Sequence, residues 1–349
     1  MSRHAVLDGR ALLAHAAPNE LVDSHGRRVR YLRLSVTDRC NLRCLYCWGC
    51  SSMRFIPHDD ILRYEEMASL VDVAVEQGVE KLRLTGGEPF VRKGLMGLVS
   101  MLRKAHSHLD LRITTNGTML KQHVPALKEL GVSAVNVSLD TFRRDRFRDV
   151  TGRDFLPQVL EGMDALLDAG VGLKLNAVAM RGVNDDELAV FIDYARTRPV
   201  DVRFIEFMPM GCGTRWSEAN FWSATDILAE AQQLADLDPV EEGKNRRGPA
   251  RLFSIRGGLG RLGLITPMSN HFCNDCNRLR VTSDGRLRTC LFADREYRLR
   301  PLLRHKKLGL DAVRRVVALA TRQKPIGYAL LQQRAQGAVA ERKMTAIGG

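Results

Sequence analysis

Three cysteines near the N-terminus have a spacing that suits an iron–sulfur cluster. Cys40, Cys44 and Cys47 lie in one short loop, directly after a predicted strand. Three thiolates in a compact loop can bind three irons of a cubane cluster, whereas four cysteines would bind every iron. The spacing therefore predicts a [4Fe-4S] cluster with one iron open to an external ligand. S-adenosylmethionine (SAM) can chelate such an iron through its amino and carboxylate groups, and an electron from the cluster then cleaves its sulfonium bond.

A second set of three cysteines lies near the C-terminus. Cys273 and Cys276 form a Cys-x₂-Cys pair, and Cys290 follows across a predicted hairpin. These residues predict a second [4Fe-4S] cluster, whose open iron could bind substrate because SAM cleavage needs only one. Between them, Arg278 and Arg280 would share one face of an extended segment. Guanidinium groups suit phosphate or carboxylate, although a solvated edge strand is the alternative for this segment.

Structural zinc is the competing interpretation of the cysteines. Zinc binds four tetrahedral ligands that often come from Cys-x₂-Cys units, and Cys44, Cys47, Cys273 and Cys276 could supply them jointly. Each cysteine could also be a small buried apolar residue. Structural disulfides are not expected, since we predict a cytoplasmic chain. Six of the eight cysteines fall into two sets, which favours metal or cluster ligands.

The first two-thirds of the chain repeats a strand–turn–helix unit. Such alternation predicts parallel strands joined by right-handed crossovers, in an α/β fold. The predicted strands are Tyr31–Val36, Lys81–Thr85, Leu111–Thr115, Ala134–Leu139, Gly172–Val178 and Val202–Phe207, and the predicted helices are Tyr64–Gln77, Lys93–Ala105, Lys121–Leu130, Phe155–Ala169 and Asp185–Arg196. Six strands would close only part of a barrel, and a doubly wound open sheet is the competing arrangement.

The strand–helix rhythm stops after the sixth strand. Met208–Thr214 contains a proline and small residues and is interpreted as a boundary. We therefore predict two domains, residues 1–210 with the first cysteine set and residues 211–349 with the second. In the second region, Val281–Leu287 contains Ser-Asp-Gly, which indicates a hairpin turn.

Composition and charge limit the classes of partner. No apolar stretch is long enough to span a bilayer and no secretory leader is evident, so we predict a cytoplasmic protein without a membrane partner. The net charge of +13 fits a solvated basic surface, a nucleic-acid surface or a pocket for a small polyanion. Charge alone does not choose among these, but an aromatic content of 6% gives little support to a base-stacking surface.

The first cysteine motif resembles that of the radical SAM superfamily. Cys-x₃-Cys-x₂-Cys follows the first strand, Tyr46 matches the aromatic position, and Thr85–Pro89 ends the second strand with Gly-Gly-Glu-Pro. The resemblance implies a partial (βα)₆ barrel with a smaller C-terminal region. It places the glycine-rich segment against the methionine end of SAM, where Glu88 could accept from the ammonium group. Alone, Gly-Gly-Glu-Pro reads equally well as a turn.

Further motifs resemble those of the GTP 3′,8-cyclase family of molybdenum cofactor biosynthesis. They are Phe272-Cys-x₂-Cys-Asn-Arg-Leu-Arg with Cys290-Leu-Phe, Tyr31-Leu-Arg-Leu-Ser-Val-Thr-Asp-Arg-Cys, Met180-Arg-Gly-Val-Asn-Asp-Asp-Glu, Phe204-Ile-Glu-Phe-Met-Pro and the terminal Gly348-Gly349. The resemblance implies that a 5′-deoxyadenosyl radical takes the 3′ hydrogen of GTP and that the ribose radical adds to guanine C8. The product would be 3′,8-cyclo-7,8-dihydro-GTP.

The same resemblance assigns residues and partners. It implies GTP contacts from Arg33, Lys81, Arg83, Thr114, Lys174, Arg203, Arg278, Leu279 and Arg280. It implies SAM contacts from Tyr46, Gly87, Ser138 and Met208, and catalytic roles for Arg33, Gly348 and Gly349. Two [4Fe-4S] clusters and SAM are the implied cofactors. The implied partners are an electron donor and a downstream cyclic pyranopterin monophosphate synthase, without nucleic acid, and a homodimer is compatible with the resemblance.

One segment departs from the family pattern. After the third cysteine the family usually continues with Met-Pro and acidic residues, whereas this chain reads Trp48-Gly-Cys-Ser-Ser-Met53. The departure adds a spare thiol, Cys50, and Cys212 is also left over, which we interpret as a small buried apolar residue. Two other functions stay open: a radical SAM enzyme with an auxiliary cluster acting on a peptide or RNA, and a zinc-bound nucleic-acid-binding module.

Overall fold

Eight parallel strands form the middle of one large β-sheet. The computed structural model describes residues 20–47, 55–210, 215–241, 248–333 and 344–347. Within these ranges the strand order is β12-β11-β10-β1-β2-β3-β4-β5-β6-β9-β8-β7. The eight central strands of this order, which begin with β10 and end with β9, are parallel, and antiparallel strands follow at both edges. The strands are β1 Tyr31–Ser35, β2 Lys81–Thr85, β3 Asp110–Thr115, β4 Ala134–Ser138, β5 Gly172–Ala179, β6 Asp201–Glu206, β7 Leu237–Val240, β8 Ala250–Ile255, β9 Arg261–Ile265, β10 Arg278–Val281, β11 Arg286–Arg288 and β12 Tyr297–Arg298.

Helices connect the parallel strands and cover the apolar face of the sheet. The helices in the described ranges are α1 Tyr64–Glu76, α2 Leu95–Ala105, α3 Val124–Glu129, α4 Arg144–Thr151, α5 Leu156–Asp168, α6 Leu188–Thr197, α7 Ala224–Leu234, α8 Arg300–Leu303, α9 Gly309–Arg322, α10 Gly327–Gln333 and α11 Met344–Ile347. The six predicted strands are confirmed, with ends that differ by at most one residue. Sequence analysis missed α4, because its eight residues are mostly charged and bury only Phe147, Val150 and Thr151.

The two faces of the parallel strands differ in chemistry. In β1, Leu32 and Leu34 lie in the hydrophobic core, while Arg33 between them faces a cavity. β2 repeats this alternation with Leu82, Leu84 and Arg83. Parallel strands covered by helices on both faces usually read as continuous apolar runs, so the alternation indicates that the inner face encloses a polar space. The sheet curves around that space, as the predicted partial barrel requires and a doubly wound open sheet does not.

The C-terminal region completes both edges of the parallel sheet. β10 pairs in parallel with β1, and β9 pairs in parallel with β6. The predicted hairpin after β10 is confirmed by its antiparallel pairing with β11. The predicted domain division near residue 210 therefore does not coincide with a break in the sheet, since strands from both sides are hydrogen-bonded neighbours.

Some predictions fall on residues outside the described ranges. These are the terminal Gly348 and Gly349, the Trp48–Met53 segment with Cys50, and Cys212. Within the described ranges, no helix combines the length and the apolar character needed to cross a membrane.

Candidate active site between two cysteine sets

A cavity of about 1160 Å³ lies inside the curved sheet. The inner faces of β1 to β6, β8 and β10 form its wall. All six cysteines of the two predicted sets line it: Cys40, Cys44, Cys47, Cys273, Cys276 and Cys290. Both candidate clusters therefore share one cavity.

The first cysteine loop is fixed by main-chain hydrogen bonds to α4. Arg43 N donates to Thr151 O at 2.7 Å, and Leu45 N donates to Val150 O at 2.9 Å. Burial raises the pKa of the Cys47 thiol to about 12, with a further contribution from Cys40. Three neighbouring thiolates in a buried site need a cationic partner, and the irons of a cluster meet that need. The residues of this loop fit a [4Fe-4S] cluster with one iron open.

The glycine-rich segment packs directly on the main chain that leads to Cys40. Gly87 N donates to Thr37 O at 2.7 Å, and Glu88 N donates to Arg39 O at 2.7 Å. A Cβ atom at Gly87 would collide with the Arg39 carbonyl, so a side chain is excluded there. The pair of glycines is therefore needed for this close approach as well as for exposing main-chain groups to a ligand.

Glu88 has a different role from the one predicted. Its Oε1 atom accepts from Phe90 N and Thr115 Oγ1, and its Oε2 atom accepts from Asn116 N at 2.7 Å. The side chain is fully buried and does not line the cavity. The expected contact with the SAM ammonium group is therefore wrong, because both oxygens already join the loops after β2 and β3.

The predicted SAM contacts lie together at the carboxyl ends of the strands. Tyr46, Gly87, Ser138 and Met208 all line the cavity. Tyr46 donates its hydroxyl hydrogen to Asp140 Oδ2 at 2.7 Å, and Asp140 Oδ1 accepts from Val178 N at 2.8 Å. Asp140 was missed by sequence analysis, although it follows Ser138 by two residues and continues the same inward-facing series.

The second cysteine set is held by a buried lysine and a glycine. Lys324 is 2% exposed, and its Nζ atom donates hydrogen bonds to Arg278 O and Thr289 O. These two hydrogen bonds connect the chain segment after Cys276 with the segment before Cys290. A Cβ atom placed on Gly327 would lie 2.8 Å from Cys290 Sγ and 3.6 Å from Cys273 Sγ. Only a glycine at position 327 is compatible with the observed positions of these two sulfurs, because a side chain there would displace them.

Electrostatics at Cys276 favour the thiolate, whereas burial raises the pKa of the Cys290 thiol. Burial by itself would raise the pKa of the Cys276 thiol, but Arg278 and Lys324 outweigh that effect and lower this pKa to about 6. Deprotonated sulfur is the form that binds iron. The second set therefore also fits a [4Fe-4S] cluster with one open iron.

The two cysteine sets lie beyond opposite ends of the β1–β10 strand pair. Asn277 O accepts from Tyr31 N at the start of β1, whereas Cys40 follows the end of β1. Five residues of strand span roughly 13 Å. A single zinc site shared by Cys44, Cys47, Cys273 and Cys276 is therefore wrong. In the described ranges no three His, Cys, Asp or Glu residues are grouped to hold one metal ion; cubane thiolates are spaced more widely, since each binds a different iron.

Basic residues from neighbouring strands form the wall between the two sets. Arg33 on β1 pairs in register with Arg280 on β10 and with Arg83 on β2. The full set of predicted polar contacts on this wall is Arg33, Lys81, Arg83, Thr114, Lys174, Arg203, Arg278 and Arg280. The structure thus brings together residues that lie as far apart in the sequence as Arg33 and Arg280, which are separated by 247 positions.

Comparisons with known proteins agree with this arrangement. The radical SAM superfamily model matches residues 34–195, and a model described as Molybdenum Cofactor Synthesis C matches residues 200–330. The GTP 3′,8-cyclase of Geobacter sulfurreducens is 45% identical over 86% of this chain and 92% of its own length. That of Alkaliphilus oremlandii is 39% identical over 94% of this chain and 99% of its own length. The chain belongs to the GTP 3′,8-cyclase family.

Solved structures show the same fold at much lower identity. Streptococcus suis SuiB bound to S-adenosylmethionine is 12% identical, with a TM-score of 0.61 over 92% of this chain and 78% of that chain. The predicted α/β fold of the radical SAM type is therefore confirmed. Membership of the GTP 3′,8-cyclase family also supports SAM and an iron–sulfur cluster as cofactors.

The predicted contact of Leu279 with GTP is limited to its main chain. Leu279 lies between Arg278 and Arg280, and strand alternation turns its side chain to the opposite face. It is 2% exposed and packs in the hydrophobic core, so only its main chain is available to a ligand.

Sequence analysis also missed two residues on the basic wall. Arg112 is paired with Arg83 in register and is held by Asp110 at 2.8 Å. The Tyr31 hydroxyl accepts a hydrogen bond from Arg83 Nε. Both missed residues occupy inward-facing strand positions. The alternation of inward-facing and outward-facing residues along each strand is the signal that would have identified them.

Proposed function

We propose that this protein is a radical SAM GTP 3′,8-cyclase, which converts GTP to 3′,8-cyclo-7,8-dihydro-GTP in the first step of molybdenum cofactor biosynthesis. One observation carries the proposal: a wall of in-register basic residues lies between two sets of three cysteines in a single cavity. Relatives named GTP 3′,8-cyclase that match nearly the whole chain support it. A peptide or RNA substrate has no comparable support.

Each cysteine set would hold one [4Fe-4S] cluster, the first through Cys40, Cys44 and Cys47 and the second through Cys273, Cys276 and Cys290. When bound, the first cluster would supply the electron for reductive cleavage of the sulfonium bond of SAM. Tyr46, Gly87, Ser138 and Met208 would orient SAM at the carboxyl ends of the strands, where α/β barrels carry their active sites. Asp140 would fix the ring of Tyr46 through its hydroxyl group.

The basic wall would bind and orient GTP. Arg33, Lys81, Arg83, Thr114, Lys174 and Arg203 would contact the substrate through cationic or hydroxyl groups that line the cavity. Charge-assisted hydrogen bonds to phosphate are the stronger kind, and guanidinium groups can make two at once. Arg278 and Arg280 extend from β10 beside the second cysteine set, so they would hold the nucleotide with its guanine toward that set.

Other parts of the proposal concern the terminus and the partners. The final Gly348-Gly349 would reach the active site, since α11 before it borders the cavity through Met344 and Thr345. An electron donor must reduce the first cluster, and a cyclic pyranopterin monophosphate synthase would use the product. We further propose a cytoplasmic location and leave the homodimer to measurement of the molecular mass in solution.

Anaerobic turnover tests the proposal directly. Reconstituted protein, GTP, SAM and a reductant should give 5′-deoxyadenosine and a product with the mass of cyclised dihydro-GTP. Cys47→Ala should abolish 5′-deoxyadenosine formation, whereas Cys50→Ser should retain about eight irons per chain and most activity. Absence of cyclised product from the parent protein, in the presence of SAM cleavage, would refute the assigned substrate.

A further inference from the structure

A buried carboxylate behind the cavity wall holds three basic side chains. Asp201 is the first residue of β6, and its side chain is 8% exposed. Its Oδ2 atom accepts from Lys174 Nζ at 3.0 Å and from Arg203 at 2.7 Å. Its Oδ1 atom accepts from Arg261 Nε at 2.7 Å. Register explains the cluster, because Asp201 pairs with Lys174 on β5 and with Arg261 on β9.

The charges of this cluster do not balance within the described residues. One carboxylate faces three cations, and two of these cations, Lys174 and Arg203, line the cavity whereas Asp201 does not. Arg203 also keeps a buried Nε atom without a hydrogen-bond partner among the described residues. Excess positive charge away from water is unfavourable unless an anion approaches it. The arrangement therefore fits an anionic ligand on the cavity side, with Asp201 behind the two cations.

Asp201 also keeps Lys174 charged where the surroundings disfavour an ammonium group. Burial, together with the guanidiniums of Arg203 and Arg112, lowers the pKa of Lys174 to about 8, and Asp201 opposes that change. These are the charged groups that face it from β6 and β3, since β4 presents the neutral Asn136 at the paired position. The remaining cation, on β9, contacts Asp201 from the other side. Loss of the carboxylate would lower the pKa of Lys174 further.

We propose that Asp201 is a positioning residue that holds Lys174 and Arg203 together as a cationic clamp for the phosphates of the nucleotide substrate. The proposal rests on the proposed GTP cyclase function and deepens it, because it separates residues that touch the phosphates from one that acts through them. An amide at position 201 would keep the shape of the side chain and remove the charge that pairs with both cations.

Equilibrium binding of GTP to the anaerobically reconstituted protein tests the clamp at several pH values. We expect Asp201→Asn to bind GTP about tenfold more weakly at about pH 8.5 and about threefold more weakly at about pH 6.5, where Lys174 regains its proton. Guanosine, which has no phosphates, should bind the parent and the variant equally. Asp193→Asn is the matched control, because it removes an exposed carboxylate that pairs with Arg196 and does not line the cavity.

Two outcomes would overturn the proposal: equal GTP affinities for parent and Asp201→Asn at every pH, or a loss of affinity that is the same for guanosine. If thermal unfolding shows that Asp201→Asn does not fold, Asp201→Glu replaces it. This variant keeps the negative charge on a side chain that is longer by one methylene group, and it should shift the pH dependence of GTP binding. An unshifted plot of GTP affinity against pH would overturn the proposal. Failure of the parent protein to bind GTP or to form cyclised product would refute the proposed function instead.

Discussion

Arg33 on β1 and Arg280 on β10 are paired in register on neighbouring parallel strands. One residue belongs to the first strand–helix unit and the other to the C-terminal region, so this part of the cavity wall requires both regions. Burial and nearby cations lower the pKa of Arg33 to about 10 and place that of Arg280 well below its ordinary value. Like charges at neighbouring strand positions repel, and an anionic ligand in the cavity relieves that repulsion.

Substitution of the β10 arginines tests whether this wall binds GTP. We expect Arg278→Ala and Arg280→Ala each to weaken GTP binding by about 1.5–3 kcal/mol, because each removes a charge-assisted hydrogen bond in a buried site. Titration calorimetry on reconstituted protein gives the affinity, and iron analysis checks that both clusters assemble. Arg298→Ala is the matched control, since Arg298 is an exposed arginine on the edge strand β12. Unchanged GTP affinity in both β10 variants would show that these residues are structural only.

The contact between Gly327 and two cysteine sulfurs predicts a selective loss of the second cluster. In Gly327→Ala the new methyl group would lie 2.8 Å from Cys290 Sγ, which is closer than a real Cβ contact allows. We expect the variant to bind about four irons per chain instead of about eight, and to cleave SAM without forming cyclised product. Iron and sulfide analysis after anaerobic reconstitution measures the change.

Gly97→Ala is the control for that experiment. Gly97 lies in α2, and a Cβ atom there meets nothing within 4 Å. Because alanine favours helix more than glycine does, this variant should gain about 0.5–1 kcal/mol of stability and retain both clusters. Full iron content in Gly327→Ala would mean that the second cluster does not occupy the space beside these sulfurs.

The apolar periodicity of the sequence was sufficient to locate the six predicted strands. Strands β1 and β2 alternate leucine with a polar residue, and each predicted strand end was correct within one residue. The pairing of β10 with β1 and of β9 with β6 could not be predicted, because partners about 250 and 60 residues apart leave no local signal.

The candidate site was predictable only where motifs or strand alternation marked it. The cysteines and the β10 arginines carry such marks, whereas Asp201 and Arg261 each begin a strand and look like surface charges in the sequence. Glu88 shows the opposite error. Its position in a motif suggested a contact with a ligand, but its side chain accepts hydrogen bonds from other residues of the protein. Local sequence patterns indicate which residues could bind a ligand, but the partners of each side chain depend on the register between strands that are distant in the sequence.

The phenol of Tyr31 should titrate near neutral pH, and bound GTP should shift its pKa. Burial opposes ionisation of its phenol, but Arg83, Arg33 and Arg278 outweigh burial and lower its pKa to about 7. Phosphates bound to the same guanidiniums would compete with the phenolate, so GTP should raise this pKa. The ultraviolet difference spectrum between the parent and Tyr31→Phe should show tyrosinate forming near about pH 7 without GTP and at higher pH with GTP.

The same group predicts the direction of a stability change. In the unfolded chain a tyrosine keeps its proton to about pH 10, whereas folded Tyr31 loses it near about pH 7. Between these values the unfolded state binds more protons, so the free energy of unfolding should rise with pH in the parent relative to Tyr31→Phe, and this contribution should be lost as pH falls through about 7. Denaturant titrations of both proteins measure it. Parallel stability curves would contradict the lowered pKa.

The last described residue lies deep in the structure. Ile347 is 1% exposed and packs against Met210 and Phe292, beside the wall that carries Cys290. Terminal segments are usually frayed and dispensable. Here, by contrast, α11 is packed in the protein, and its residues Met344 and Thr345 line the cavity. Gly348 and Gly349 follow it directly, and residues without side chains can pass through a narrow opening.

Deletion of Gly348 and Gly349 should therefore stop cyclisation while sparing the rest of the enzyme. Main-chain groups of the two glycines that reached the cavity would help to hold GTP for hydrogen abstraction, an interaction that the deletion removes. We expect the truncated protein to retain about eight irons and to bind SAM, but to form no cyclised product. Anaerobic assays of truncated and intact protein, analysed by mass spectrometry, measure this. Replacement of both glycines by alanine keeps the chain length and should also reduce product if side chains are not tolerated at these positions. Equal rates of product formation in intact and truncated protein would show that the two glycines have no part in the reaction.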